Sequence, residues 1–484
     1  MALLSGADIR PPYNSGMVSA AHATASGLEM TDTPKTRAAT SNAARLSRRG
    51  LMLGGAGIVG ALGSGAANAQ SWLEQLQGFG NGSSSAPTKV KTASEAEVIN
   101  DLRTDNIPWR SDVMLDQMDR AIGRYEQIVA KNGWPMVKTG RTLRSGDDDD
   151  RIVPARRRLI ITGDMKASTS GFGGGSNNLD DYMEAGLKRF QERHGLRING
   201  RLDRPTVEAL NVSANARLEQ LRLNRRRIQE LMVGRIEDRY VLVNAAAYQL
   251  EAVENHDVIQ RHRTIVGKPD RQTPVIRATI GALNFFPQWR VPQSVAVLDL
   301  IPKLRKEPEY LAKEHIRVFN GINGPELDPS QIDWNQADGT KLWFKQDSGD
   351  RNALGLVRID MSNPEGVYMH DTPLKPLFGQ RQRPFSAGCV RVQDVFKLTD
   401  WIARHEVSWE KTGGSLAVVS NGQPLDVKLT RPLPVYFTYI TAWAEKEGTV
   451  VFQPDVYGRD GLKEPAAPGA DPEAPPPPSG GFAP

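Results

Sequence analysis

The sequence predicts an α+β protein in which a helical region precedes a β-rich domain. Apolar side chains recur at helical spacing within residues 110–132 and again within residues 216–232. From about residue 238, short β-branched and aromatic runs separated by turn residues replace that pattern. Residues 292–350 interrupt the strand-like sequence with helical and Pro/Gly-rich stretches, so we interpret them as an insertion into the β-rich domain.

Residues 1–69 are predicted to form an N-terminal extension and an export signal. Arg48 and Arg49 directly precede a mildly apolar stretch, residues 51–67, and the small-x-small sequence at 67–69 follows as a cleavage site. The paired arginines favour the twin-arginine route, and hence the periplasm of a Gram-negative bacterium. A membrane span is the alternative, although this stretch is shorter than the about 20 strongly apolar residues that a span needs.

Flexible segments are predicted on both sides of the folded region. The polar sequence ahead of Arg45 is unusual for a signal, which makes Met17 or Met30 an alternative start. Residues 70–94 are predicted to be a linker because they are rich in Gly and Ser. The Pro-rich tail at 459–484 is predicted to be disordered.

Residues 95–237 are predicted to be an all-α scaffold that carries a small helical module at about 178–212. In the module, two short helical patterns flank a turn at residues 194–196. The acidic run at 147–150 predicts a solvated loop, since the spacing of calcium ligands is absent.

Residues 238–458 are predicted to form the β-rich domain, interrupted by the insertion at about 293–350. We expect its strands at residues 240–244, 248–250, 258–266, 276–283 and 366–369, with a last strand segment within 432–457.

Composition and charge limit the class of protein. The 484 residues correspond to about three domains at roughly 150 residues each. A hydrophobic content of 39% with 24% charged residues excludes a wholly disordered or fibrous chain. The net charge of +5 falls to +2 when residues 1–69 are set aside, which leaves 55 basic and 53 acidic residues. Charge therefore gives no argument for binding nucleic acid.

Cys389 is the one cysteine in the sequence. A single cysteine excludes an internal disulfide framework and a cysteine-based zinc cluster. An oxidising periplasm would pair or modify an idle thiol, which favours a thiol kept for its reactivity. An inert buried cysteine is the competing interpretation.

His370 ends a predicted strand and lies nineteen residues before Cys389. A neighbouring imidazole can take the proton of a thiol, which makes the sulfur a nucleophile. Gly388 permits a tight backbone, and the amides around it would face a developing oxyanion. Asp371 or a nearby carbonyl would orient the imidazole. Arg391 is expected either to bind a substrate carboxylate or to hold the loop by an ion pair.

A cysteine and a histidine alone are a weak signal, but the surrounding motif is specific. Residues 367–373 (VYMHDTP) and 385–392 (FSAGCVRV) resemble the L,D-transpeptidases with a YkuD-type catalytic domain, in the large multi-domain class. Further agreement lies at residues 266–268, 273–274, 286–292, 328, 332–334 and 352–355. Residues 178–212 resemble a peptidoglycan-binding helical module. Many relatives carry His where Ala387 stands, and here the base corresponds to His370.

The resemblance implies acyl transfer on peptidoglycan. Cys389 would attack the carbonyl of diaminopimelate, the third residue of a donor tetrapeptide stem, and D-alanine would leave with a proton from His370. The amine of an acceptor stem would then resolve the thioester into a 3–3 cross-link. Attack by water would make the enzyme a carboxypeptidase, and attack by a protein lysine would make it an anchoring enzyme.

The resemblance also implies roles for the neighbouring residues. Ser386, Gly388 and Asp371 would shape the oxyanion site or orient the base, while Arg391 and Tyr368 would bind substrate. The insertion resembles a capping lid, and its Trp343 and Phe344 are expected to be pocket walls or core, as is Tyr368.

The expected partners are donor and acceptor stem peptides and proteins of cell-wall synthesis; the oligomeric state is left open. No cofactor is expected. The other histidines lack metal-ligand spacing, and Gly267-Lys268 lacks the glycine spacing of a nucleotide-binding loop. A non-catalytic wall-binding protein is the hypothesis from another class, and the complete motif around Cys389 argues against it.

Overall fold

A computed structural model describes residues 101–167 and 175–461. The predicted signal at 1–69, the predicted linker at 70–94 and residues 462–484 of the predicted tail lie outside the described residues. Among the described residues, no helix is both long and apolar enough to cross a membrane.

The N-terminal part of the described chain is helical. It contains α1 (Asp112–Ala130), α2 (Ile152–Ile161), α3 (Asp181–Arg193), α4 (Arg204–Asn211) and α5 (Ala214–Leu231). Four of these begin at a residue whose side-chain oxygen accepts a backbone N–H of the first turn: Ser111, Asp180, Asp203 and Ser213. The helices predicted within 110–132 and 216–232 are confirmed as α1 and α5.

The helical module is larger than the predicted range of 178–212. Helices α2, α3 and α4 share one core with residues that precede α2, such as Val137 and Leu143. Helix α2, which buries Ile152, Ala155 and Leu159 against that core, was not predicted from the sequence. The acidic run ahead of α2 is a loop, as predicted, in which Arg141 and Arg151 pair with two of the aspartates.

The β-rich domain begins with four strands, β1 (Arg239–Asn244), β2 (Gln249–Glu254), β3 (Asp257–Gly267) and β4 (Ile276–Phe285). All four predicted strands in this region are confirmed. Tyr240 to Asn244 alternate between the two faces of β1, so that Val241 and Val243 enter one core while Tyr240 and Leu242 enter another.

The insertion forms a subdomain with its own sheet and core, which we call the lid. Its elements, in chain order, are β5 (Trp289–Arg290), α6 (Gln293–Val295), a π-helical turn (Ala296–Leu300), α7 (Ile301–Leu304), α8 (Tyr310–Lys313), β6 (Ile316–Asn320), β7 (Glu326–Leu327), a 3-10 turn (Pro329–Gln331) and β8 (Leu342–Gln346). The helices are short, and the four strands form a sheet in the order β5-β8-β6-β7. The insertion was predicted from helical and Pro/Gly-rich sequence, and its strands were missed.

After the lid the chain returns to the main sheet and adds a small helical layer. The elements are β9 (Val357–Ser362), β10 (Met369–His370), a 3-10 turn (Lys375–Gly379), β11 (Pro384–Ser386), β12 (Val390–Val392), α9 (Val395–Ala403), α10 (Val407–Glu410), α11 (Ser415–Asn421), β13 (Leu425–Thr438), β14 (Ala442–Ala444) and β15 (Val450–Phe452). The last strand segment predicted within 432–457 corresponds to the end of β13 and to the β14–β15 hairpin.

The main sheet closes on itself. Its order is β11-β3-β12-β10-β9-β4-β13-β1-β2, and β2 also pairs with β3. Eight strands therefore form a closed ring, with β11 attached to β3. The ring encloses an apolar core that contains Ile280, Ile359, Met369 and Val390. The predicted α+β class is confirmed.

The helical scaffold is not an independent all-α unit. Trp109, Met118 of α1 and Leu221 of α5 share a core with Trp443 of the β14–β15 hairpin and with the outer face of the main sheet. This scaffold therefore covers one side of the sheet.

The predicted start of the disordered tail at residue 459 is wrong. Asp460 is buried, where it pairs with Arg227 (2.7 Å) and accepts a hydrogen bond from Thr441 (2.7 Å). Arg459 donates to the backbone carbonyl of Thr273 (3.1 Å). These contacts hold residues 459 and 460 against the folded domain.

Candidate active site

Neighbouring strands bring the histidine and cysteine segments together. Strand β10 pairs in parallel with β12, with Met369 opposite Val390 and His370 opposite Arg391. Met369 and Val390 enter the core of the ring, so His370 and Arg391 share the opposite face. Cys389 immediately precedes β12, and continuing this register places it beside Tyr368, the residue before β10, two residues ahead of His370.

The imidazole of His370 is held in one tautomer. Its Nδ1 lies 2.5 Å from the backbone carbonyl oxygen of Asp371. A carbonyl only accepts hydrogen bonds, so Nδ1 carries the proton and Nε2 keeps its lone pair. Nε2 is buried and has no hydrogen-bond partner among the described residues. Burial, with the nearby charge of Arg391, lowers the pKa of His370 to about 3, so the ring is neutral at pH 7.

The thiol of Cys389 is neutral at rest. Only 9% of the residue is exposed, and burial raises the pKa of the Cys389 thiol to about 11. Hydrogen bonds from the backbone and side chain of Tyr368 and the charge of Arg391 act in the opposite direction but do not outweigh burial. The Tyr368 ring also packs edge-to-face on His370, with the ring centroids 5.7 Å apart. Tyr368 thus contacts both members of the pair.

The loop before Cys389 is shaped by Ser386. The Ser386 hydroxyl donates to the carbonyl of Cys389 (2.6 Å) and accepts the N–H of Gly388 (3.2 Å). Gly388 has φ +121°, a backbone conformation that disfavours side chains. The expectation that the Gly388 amide faces an oxyanion is therefore corrected, because that N–H is used inside the loop. Gly388 and Ser386 instead set the conformation of the segment that presents Cys389.

A second residue, Thr273, braces the same loop, a role that was not predicted from the sequence. Thr273, which is fully buried, donates from its hydroxyl to the carbonyl of Gly388 (2.9 Å) and accepts the N–H of Gly267 (2.9 Å). Tyr457 donates to the carbonyl of Gly267 (2.6 Å) and accepts the N–H of Thr273 (3.3 Å). The only signal for Thr273 was its place in the family resemblance, and Tyr457 gave none.

Asp371 orients the base through its carbonyl rather than its carboxylate. The carboxylate accepts the N–H of Leu356 (3.0 Å) and pairs with Lys375. Gly355 lies against this carboxylate, where an added Cβ would clash. The side chain thereby fixes the strand end that carries His370. Of the two alternatives that the sequence left open for orienting the imidazole, the structure shows a nearby carbonyl, that of Asp371 itself.

Arg391 carries unused hydrogen-bonding capacity beside the thiol. It is only 1% exposed, and its Nε and Nη2 have no hydrogen-bond partner among the described residues. Burial lowers the pKa of Arg391 to about 10, whereas the charge of Cys389 acts to raise it. The loop-holding ion pair considered for Arg391 is not among the ion pairs of the described residues. A buried guanidinium with free donors fits an anionic group of a substrate.

The lid reaches the site through its core. Tyr368 and Ala387 pack against the lid core, which contains Leu354 and Phe344. Phe344 is buried there and is a core residue rather than a pocket wall, while Trp343 is half-buried. Arg271, on the loop that follows β3, pairs with Asp299 of the π-helical turn (Nη2 to Oδ1, 3.0 Å).

The remaining titratable groups do not form a metal site in the described part of the chain, where no cluster of three or more His, Cys, Asp or Glu side chains could hold an ion. His194 is buried between Phe190 and Phe452 (ring centroids 3.8 and 5.5 Å away). His262 is also buried and contacts the carbonyl of Gln393.

Comparison with known proteins identifies the domain. Residues 238–451 match the family model described as the L,D-transpeptidase catalytic domain, YkuD. A Haemophilus influenzae protein provisionally named an L,D-transpeptidase is 30% identical over 220 residues, which are 46% of this chain and 44% of that protein. The chain thus matches less than half the length of this relative. The family resemblance predicted from the sequence is confirmed.

Solved structures of L,D-transpeptidases are also similar to this chain. One from Stackebrandtia nassauensis is 14% identical, with 55% of this chain and 91% of that chain covered and a TM-score of 0.23. One from Mycobacterium smegmatis is 12% identical, with 42% of this chain and 58% of that chain covered and a TM-score of 0.22.

Proposed function

Starting from the match of residues 238–451 to the L,D-transpeptidase catalytic domain, we propose that this chain is a peptidoglycan L,D-transpeptidase that forms 3–3 cross-links through a cysteine thioester. One observation carries the proposal. Nδ1 of His370 is fixed on the Asp371 carbonyl, while Nε2 is buried with a free lone pair beside the strand that follows Cys389.

The resting pair is a neutral thiol and a neutral imidazole, because the pKa of Cys389 is about 11 and that of His370 is about 3. The proton therefore moves from Sγ to Nε2 in step with the attack of sulfur on the diaminopimelate carbonyl carbon. The carbonyl π pair moves to oxygen, and the imidazolium is held by its Nδ1–H hydrogen bond to Asp371. Collapse of the tetrahedral intermediate breaks the C–N bond, and Nε2–H protonates the leaving D-alanine amine.

The second half of the reaction reverses these roles. The neutral side-chain amine of an acceptor stem loses its proton to Nε2 and attacks the thioester carbonyl, and the C–S bond breaks to regenerate the thiol. Arg391, with unused donors next to the sulfur, supports a role in binding a stem carboxylate or the developing negative charge. Since the Gly388 amide is occupied, the backbone N–H of Cys389 remains as the proposed oxyanion donor from this loop.

The lid contacts support the choice of transfer over hydrolysis. Tyr368 lies two residues before His370, and Ala387 lies two residues before Cys389. Both pack against the lid core, so closing the lid over a thioester would exclude water. An open lid would admit water and give the carboxypeptidase reaction. The product analysis described below distinguishes this hydrolysis from transfer.

The wider setting of the enzyme is also a proposal. We infer that residues 178–212, with the helical core around them, bind peptidoglycan, and that residues 1–69 direct export by the twin-arginine route to the periplasm. Both inferences rest on the sequence motifs described above. A reporter that must fold before export, fused to residues 1–69, tests the route.

Product analysis tests the proposed reaction. The purified chain is incubated with a disaccharide-tetrapeptide, and the products are read by mass spectrometry. Cross-linked dimers with released D-alanine support transfer, tripeptide monomers would indicate hydrolysis, and unchanged substrate would indicate a non-catalytic wall-binding protein.

A further inference from the structure

Arg358 lies directly beside the reactive histidine on the next strand of the main sheet. Strand β9 pairs antiparallel with β10, with Arg358 opposite His370, while β12 places Arg391 opposite His370 on its other side. The residues next to these three enter the core of the ring: Ile359, Met369 and Val390. Since residues directly opposite each other point to the same side of a sheet, Arg358, His370 and Arg391 form a row on the face away from that core.

Arg358 is partly exposed to solvent, and its charge reaches the Cys389 thiol. Burial raises the pKa of Cys389, and the charges of Arg391 and Arg358 act against that shift. The side chain of Arg358 is 32% exposed, whereas Arg391 is almost fully buried. The Arg358 guanidinium also lies 5.5 Å from the ring centroid of Tyr368, which contacts both members of the reactive pair. A substrate that arrives from solvent can therefore reach Arg358 beside the reacting groups.

Two contacts orient the Arg358 guanidinium and leave one of its nitrogens unused. Nε donates to Oδ1 of Asn284 (3.1 Å), and the Asn284 amide is itself fixed by donating to Asp426 (2.6 Å). Nη2 lies 3.1 Å from Oδ1 of Asp360, whose side chain is half exposed. Among the residues that the structure describes, Nη1 has no hydrogen-bond partner. Because an ion pair with an exposed carboxylate contributes little stability, a ligand carboxylate can compete for this guanidinium.

We propose that Arg358 binds the carboxylate of the leaving D-alanine and thereby makes the enzyme select donor stems that end in a free acid. The identity of the leaving residue rests on the proposed function. Its carboxylate is two bonds from the scissile nitrogen, so a cation that binds it must lie near Sγ of Cys389 during attack. Arg358 meets this requirement, since its charge acts on Cys389 and part of its side chain faces solvent. The buried Arg391 then remains for the negative charge that develops on the carbonyl oxygen.

Binding to a chain that cannot turn over tests this role apart from the reaction. The full-length Cys389→Ala chain is titrated by calorimetry with two tetrapeptide stems, one ending in D-alanine and the other in D-alaninamide. We expect the acid to bind about tenfold more tightly, because the neutral amide cannot pair with the guanidinium. Adding Arg358→Gln should lower the affinity for the acid to that for the amide and leave the amide unchanged. Arg277→Gln is the matched control and should change neither affinity, since Arg277 also pairs with a carboxylate, that of Glu237 (2.6 Å), but lies seven residues along β4 from Asn284.

Two further variants of the same chain change the affinity in ways that misfolding cannot imitate. Arg358→Lys keeps a cation and should restore most of the preference for the acid. Asp360→Asn removes the carboxylate that competes for the guanidinium, so it should tighten binding of the acid by about two- to threefold and leave the amide unchanged. A preference for the acid that survives Arg358→Gln, an equal loss for both stems, or no preference in the parent chain would overturn the role of Arg358. The expected preference in a chain whose wild type makes no cross-link would refute only the proposed function, and no binding of either stem would refute both.

Discussion

The resting charge state of Cys389 gives a prediction that can be worked out in detail. With a pKa of about 11, the thiolate fraction at pH 7.5 is about 0.03%, against about 9% for a free cysteine of pKa about 8.5. Alkylation consumes thiolate, so the reaction of Cys389 with iodoacetamide should gain about tenfold in rate for each pH unit between 7 and 9.5, without a plateau.

The assay is simple because the chain has one cysteine. Each alkylation adds a single mass increment, which intact-mass kinetics follow directly. Burial slows the reagent by the same factor at every pH, so the slope of log rate against pH reports the change in the thiolate fraction of Cys389. Glutathione is the control, and its alkylation rate should level off near the pKa of its own thiol. A plateau between pH 6 and 8 would show a preformed thiolate–imidazolium pair and would refute the neutral resting state.

Two more predictions concern the residues that hold the site. Thr273→Val leaves the Gly267 N–H and the Gly388 carbonyl without their partner. We therefore expect the free energy of unfolding, measured with urea, to fall by about 2–4 kcal/mol and the transfer rate to decrease. Thr273→Ser should retain most of the stability and of the rate, and equal effects of the two substitutions would contradict the bracing role. His370 is held neutral, so the folded chain resists the proton that the unfolded chain accepts below its pKa of about 6.5, and stability is lost as pH falls towards about 3. Between pH 7.5 and pH 5 the loss of unfolding free energy due to His370 amounts to about 2 kcal/mol. The His370→Asn variant should lack this part of the pH dependence, which is measured as the urea midpoint at each pH. The same pH dependence in the variant and the wild type would contradict the neutral, buried imidazole.

The sequence predicted the elements whose pattern is local. Helices α1 and α5 and strands β1 to β4 follow from apolar spacing, since each buries one face against a core. Helix α2 was missed because three arginines interrupt its apolar residues, and two of these, Arg156 and Arg158, turned out to be buried. The arginines are accommodated by partners distant in sequence, such as the carbonyl of Leu210, which no local pattern reveals.

The candidate site divides in the same way. His370 and Cys389 were found from residue type and motif, since their chemistry is carried by the side chains themselves. Gly388 was correctly singled out, but its amide was given the wrong task, because only the folded loop shows that Ser386 takes that hydrogen. Thr273 and Tyr457 contribute through contacts across the fold, and neither residue type indicates such a role in a single sequence.

The lid shows a third kind of limit. Its strands are short, and its core forms within the insertion rather than against the main sheet. A short strand has too few residues for the two-residue period to stand out from the surrounding Pro and Gly. Its position in the chain was predictable because the composition changes, while its internal sheet was not.

One measurement tests the central claim most directly, namely that Cys389 carries the acyl group. The wild-type chain and Cys389→Ala are each mixed with the tetrapeptide donor in the absence of acceptor, quenched in acid within seconds and examined by intact mass and peptide mapping. The mechanism predicts a wild-type adduct with the mass of the tripeptide acyl group on the peptide that contains Cys389, released D-alanine in equal amount, and neither in the variant. D-Alanine release or cross-linked product from Cys389→Ala at the wild-type rate would contradict it.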